Sequence, residues 1–229
     1  MSSTSSTERI IENFPHPTIS PIVGHPTFET ISPAHLKLNT NAASIYSNRG
    51  NGQLGLIFLT LKLEVHDTIS SVQFAPPTNP GPNPTIATNS TDAQMSEIRR
   101  RHKESYDEWM RYDQTDKALK KLLLAAVDES YVRSLRDKYV GHANATTLTI
   151  LNHLYDSHAR ITAQDLKENS QRFNAPYDPN ETIETLIDQI ENAIDYAAAG
   201  NVPYIPLQIV TNAHNLIFET GLCDDACRE

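Results

Sequence analysis

The chain has 229 residues, of which 38% are hydrophobic, and a net charge of −9. That length suits one large or two small domains, and the acidic balance excludes a general nucleic-acid binder, so any such contact must come from a local patch. The longest apolar run, Leu54 to Leu61, holds a Gly and a Thr and falls far short of the roughly 18 to 20 residues of a membrane span.

The N-terminal MSSTSSTERI has no basic stretch followed by an apolar one, so no secretory signal is read there. Residues 1–26 read as a disordered or extended tail: a Ser/Thr-rich start, then an arm with Pro15, Pro17, Pro21 and Pro26, which forbid regular helix. Packing of that arm on a neighbour is the alternative. Residues 27–84 form an N-terminal segment with one helix and a Pro-rich linker. Ser32-Pro33 has the pattern of a cap followed by proline at the first helical position, which predicts a helix from about Pro33 to Ser47 with Leu36, Ala43 and Ile45 inward. Gly50 and Gly52 mark a turn. Leu59, Leu61, Leu63 and Val65 then alternate with polar residues, a period that favours one short strand or hairpin over a short helix opened by Thr60. The stretch FAPPTNPGPNP from Phe74 to Pro84 is a linker, since its prolines hold neither a helix nor a central strand.

Residues 85–229 read as a helical body with a sub-boundary near residue 141. Thr91 and Gln94 have capping-box spacing and open a helix to about Tyr112, with Met95, Ile98, His102, Tyr106, Trp109 and Met110 inward. A second helix starts at Asp116, with Leu119, Leu122, Leu123 and Val127 inward. A short one follows Asp128, and Gly141 breaks it. Thr146 and Thr147 open the next, with Leu148, Leu151, Leu154 and Tyr155 in its stripe, and Thr162 with Asp165 repeats the cap signal. The last two helices read as a hairpin. Ile183, Leu186, Ile187, Ile190 and Ile194 make one apolar stripe, ended by Gly200 in a left-handed role; Ile209, Val210, Ala213, Leu216 and Ile217 make the other.

Chemistry-bearing patterns are few. The basic run Arg99, Arg100, Arg101, His102, Lys103 contains cations that release counterions when they meet phosphates. Successive helix residues point about 100° apart, and Glu97, Glu104, Asp107 and Glu108 lie within pairing distance along the helix. A solvated, salt-bridged surface therefore competes with an RNA or acidic-partner contact at Arg99, Arg100, Arg101 and Lys103. Cys223 and Cys227 are close together, make no disulfide framework and suit a reducing interior; their C-x3-C spacing lacks the further ligands of a zinc site. The nine histidines are scattered, and His153 and His158 are poorly spaced for one helix face. No G-x-S-x-G, P-loop, G-x-G-x-x-G or H-E-x-x-H occurs. Carboxylate pairs such as Asp224-Asp225 or Glu184 with Asp188 have nothing in the sequence to set their pKa values apart. No catalytic, cofactor-binding or metal-binding residue is expected, and no small-molecule substrate or membrane partner.

The helical segment from Trp109 to Gly221 resembles the Gag capsid region of copia-type LTR retrotransposons. The carrying stretches are KALKKLLLAAVDESYVRSLRD (Lys117 to Asp137), TTLTILNHLYDSH (Thr146 to His158) and PYDPNETIETLIDQIENAIDYAAAGNVPYIPLQIVTNAHNLI (Pro176 to Ile217). Upstream, HPT (His25 to Thr27), NGQLGL (Asn51 to Leu56) and EIRRRHKE (Glu97 to Glu104) are similar to Gag-like polyproteins of such elements in algae and other protists. The resemblance implies a mainly α fold, a helical bundle of capsid type, in a structural protein that self-assembles into a cytoplasmic particle and packages RNA. It implies no catalysis by this segment. The retroviral zinc knuckle C-x2-C-x4-H-x4-C is missing from these residues. The alternative is a monomeric helical module, derived from a Gag domain, that binds RNA or protein.

Overall fold

The computed structural model describes residues 5–221 apart from Thr88; Cys223, Cys227 and Asp224-Asp225 lie outside the described residues. The fold is mainly helical. Among the described residues there are nine α-helices and no strand, and the one β-type pairing is an isolated bridge between Asp137 and Gly141. The chain divides into two compact units, Met1–Ala159 and Arg160–Glu229, so the division falls beyond the point near residue 141 suggested by Gly141.

The first unit holds α1 (Ser6–Glu12), α2 (Phe28–Ala43), α3 (Leu63–Ile69), α4 (Asp92–Ala126), α5 (Glu129–Val132) and α6 (Thr147–Ser157). Its core forms where the C-terminal half of α4 meets α1, α2 and α6. Ile31, Leu38, Leu119, Leu123, Ile150, Leu151 and Leu154 are fully buried there, each worth about 1.5–3 kcal/mol of transfer free energy. The segment read as a loose tail is ordered from Ser5 onward. Ser5 and Glu8 close a capping box on α1, and Phe14 is buried in the core. The buried amide of Asn41 clamps the arm: its Nδ2 donates to the His16 carbonyl at 2.8 Å, and the His16 N–H donates to its Oδ1 at 2.8 Å. The Ile22 N–H then donates to the Ala126 carbonyl at 2.7 Å, taking up an orphan acceptor at the end of α4.

Three further expectations in this unit are corrected. Helix α2 starts at Phe28 behind a Thr27 cap, and Pro33 lies inside it, so the stripe is Ile31, Ala34, Leu38 and Ala42 while Leu36 is exposed. The expected strand is absent: Ile57–Leu59 is a 3-10 turn and α3 follows. Leu63 and Val65 are exposed and His66 is buried, the reverse of the alternation, and no neighbouring strand is present among the described residues to take a ladder. Lastly, α4 runs unbroken for 35 residues. Nothing between Tyr112 and Asp116 is Gly or Pro, and the Thr115 hydroxyl donates back to the Arg111 carbonyl at 2.7 Å, within the helix. Burial along α4 begins only at Thr115, so Ile98 and Tyr106 are exposed and not inward.

The second unit holds α7 (Ala163–Phe173), α8 (Ile183–Ala199) and α9 (Pro206–Phe218). Its core is Phe173, Leu186, Ile190, Ala193 and Leu216, with Ile194, Ile209, Ala213 and Ile217 partly buried against it. Ile183, Ile187 and Val210 are exposed and leave the expected hairpin core. In its place α7 and α8 form the main pair, joined by the buried Asn169, whose Nδ2 donates to the Ala193 carbonyl at 2.8 Å. Gly200 is not left-handed. It caps α8 at φ −80, and Asn201 takes φ 60. The Val202 N–H reaches the Ala197 carbonyl and the Asn201 N–H reaches the Ala198 carbonyl, a Schellman closure. Gly200 is small for a different reason: a Cβ there would lie 2.6 Å from Leu166 Cδ2.

Candidate functional site

The basic run lies on the exposed N-terminal half of α4, and the structure sorts its cations into two kinds. Arg100 and Arg101 are consumed locally. Arg100 donates to Glu97 at 2.8 and 2.9 Å and also pairs with Glu104, and Arg101 donates to Glu97 at 2.6 Å. These hydrogen bonds, from Arg100 first and then Arg101, hold the Glu97 carboxyl down to about 2. Glu108 is taken by Arg49, whose Nε and Nη2 each donate to it at 2.8 Å, and this keeps the Glu108 carboxyl below its ordinary range.

Arg99 and Lys103 make no ion pair or hydrogen bond with any described residue. They are four residues apart and so share one helix face, together with His102 and Tyr106. That face and residues 81–86 of the Pro-rich linker enclose a cleft of about 940 Å³ lined by Gly81, Pro82, Asn83, Pro84, Ile86, Arg99, His102, Lys103 and Tyr106. His102 Nε2–H donates to the Gly81 carbonyl at 3.2 Å and ties the linker to the helix. Tyr106 is 38% exposed, and its ring leans on Trp109 with centroids 5.6 Å apart. The cleft thus joins two unneutralised cations to a flat aromatic and pyrrolidine wall. Of the four candidate contacts, Arg99 and Lys103 face it and Arg100 and Arg101 are held in pairs. Tyr106 and the linker prolines were missed; the spacing of 99, 103 and 106 was the available signal.

His153 and His158 come together despite their spacing, because His158 has left the helix as its C-terminal cap. Both Nε2–H groups donate to the Tyr131 carbonyl, at 3.0 and 3.2 Å, so the two rings are fixed on one backbone acceptor. No group of three or more His, Cys, Asp or Glu side chains fit for a metal occurs among the described residues. Glu184 and Asp188 are exposed, and Glu184 is held below its ordinary range chiefly by its own backbone N–H. No helix among the described residues is long and apolar enough to cross a membrane.

A second surface lies in the second unit. Phe173 and Tyr204 stack with centroids 4.1 Å apart. Beside them runs a groove of about 490 Å³ with an uncharged lining that includes Asn174, Leu207, Gln208 and Asn215. Helix α9 buries only Leu216 fully. Comparison with known proteins finds no matching family model, no matching curated protein and no matching solved structure.

Proposed function

We propose that this chain is a structural, non-enzymatic protein of the retrotransposon Gag capsid type, which associates with copies of itself into an intracellular particle that packages RNA. The observation that carries the reading is the composition of α9. From Pro206 to Phe218 it has no Asp, Glu, Lys or Arg, in a chain where 21% of residues are charged. Its Leu207 and Val210 are 71% and 67% exposed, and Val202 and Ile205 in the preceding turn are exposed as well. Exposed apolar surface without charge is the composition of an interface core. A second copy is the occupant that fits. Each copy carries −9, so two copies repel wherever charged faces meet, and α9 is a face on which they need not. The helical architecture agrees with the resemblance.

Salt screens the self-repulsion. In negative-stain microscopy and light scattering at high protein and salt concentration, this reading expects oligomers or shells; a strict monomer under those conditions contradicts it. The alternative, a monomeric module that holds RNA, is favoured by one observation: Arg99 and Lys103 line a cleft and close no ion pair among the described residues. Retention of RNA by a chain that never self-associates would decide for it.

A further inference from the structure

We infer that the cleft between residues 81–86 and the Arg99–Tyr106 face of α4 is a binding site for a nucleoside phosphate, met as a free nucleotide or as one unit of a single strand. The inference deepens the RNA half of the proposed function and does not depend on self-association.

Three features of the lining select that chemistry. The first is net positive charge that survives the neighbouring acids. Glu97 and Glu104 are engaged by Arg100 and Arg101, and Glu108 by Arg49; Asp107, four residues beyond Lys103, does not close a pair with it. With those carboxylates held elsewhere, Arg99 and Lys103 meet the cleft as cations. Residues four apart on a helix stand about 5–6 Å apart at Cβ, so the two side chains can reach neighbouring phosphates of one strand. The second feature is the wall. Tyr106, Pro82, Pro84 and Ile86 line the same cleft, an aromatic and apolar lining that suits a flat base and that a bare inorganic anion or a carboxylate side chain would leave unused. The third is preorganisation. The His102–Gly81 bond at 3.2 Å fixes the linker opposite the cations, so the wall stands before the ligand arrives. The cleft volume, about 940 Å³, lies in the range of pockets that take a ligand of nucleotide size.

The test uses the full chain and measures binding of AMP, ATP, inorganic phosphate, a short single-stranded oligonucleotide, its duplex and poly-glutamate, by calorimetry and fluorescence anisotropy. The double variant Arg99→Gln/Lys103→Gln should weaken nucleotide and oligonucleotide binding about tenfold or more and lower the salt slope for a single strand by about 1.4, or about 0.7 for each phosphate left without its cation. Tyr106→Ala should weaken binding about tenfold or more. Arg100→Lys/Arg101→Lys, which keeps cations beside Glu97 and Glu104, should change it less than about twofold. All these positions are exposed, and unchanged circular dichroism checks the fold. Binding of the oligonucleotide alone, or of AMP and ATP alone, supports the site and identifies the source of the phosphate. The inference is overturned if inorganic phosphate or poly-glutamate binds as tightly as the nucleotide or strand, if Arg99→Gln/Lys103→Gln leaves binding intact, or if nothing binds. Light scattering on the same samples reads self-association separately, so failure of one idea leaves the other standing.

Discussion

His35 shows how burial turns a scattered histidine into a structural group. Its Nε2–H donates to the Thr60 carbonyl at 2.8 Å, and its Nδ1 then accepts from the Tyr155 hydroxyl at 3.1 Å. Burial lowers its pKa from the usual 6.5, against the Thr60 bond, which raises it. The native state therefore holds His35 neutral at pH values where the unfolded chain would be protonated, and stability falls as pH drops below about 6.5. The expected result is a melting temperature that declines from pH 7 to pH 5, with the His35 imidazole resonance titrating below the ordinary value by NMR. A His35 midpoint at or above 6.5 would contradict this. The same burial pushes Tyr155 up to about 12. Two glycines offer a contrast at the same scale. Gly55 has φ +52, and a Cβ on it would meet the Ala43 carbonyl oxygen at 2.2 Å; Gly81 has φ +76 and open space around it. Gly81→Ala should cost about 1–2 kcal/mol of backbone strain, and Gly55→Ala clearly more, measured by urea denaturation. Equal losses would remove the steric account. The role of His35 was available in the sequence, since it follows Ile31 by four residues on the buried side of α2, but taking Pro33 as the helix start hid that stripe.

At the scale of elements, the cap signals were the most legible part of the chain. Thr91, Asp128, Thr146 and Thr162 all accept from a backbone N–H at the start of their helices, because a side-chain cap is a local interaction that sequence spacing captures. What failed was non-local. The alternation at Leu59 to Val65 looks like a strand only until one asks what would pair with it. The arm from Phe14 to Pro26 looks mobile until Asn41, far along the chain, clamps its backbone. At the candidate site the cations and their helical partners were legible, but the wall opposite them depends on where the linker folds back. The end of α8 gives a direct check. Asn201 occupies the left-handed position, where a β-branched residue is strained. Asn201→Val should destabilise by about 1–2 kcal/mol, while Asn201→Gly should be neutral or slightly stabilising. Thermal melts of both variants measure this, and a harmless Asn201→Val would mean that the Schellman closure does not hold the turn.

For the whole molecule, the two units differ in how well they hide their apolar residues. The first encloses a core of leucines and isoleucines around α4, whereas the second is small and leaves much of α8 and α9 uncovered. Small units bury a lower fraction of their surface, which is why the apolar stripes read from the sequence were broader than the core they built. Ile183 and Ile187 of α8 are 47% and 46% exposed. On the proposed reading, the exposed apolar face of α9 meets copies of the same chain. Sedimentation velocity of the wild type and of Leu207→Asp/Val210→Asp, over a series of protein and salt concentrations, tests it most directly. The wild type is expected to form oligomers that grow with both concentrations while the double variant stays monomeric and folded. A wild type that sediments as a monomer throughout, or a double variant that assembles as well as the wild type, would contradict it.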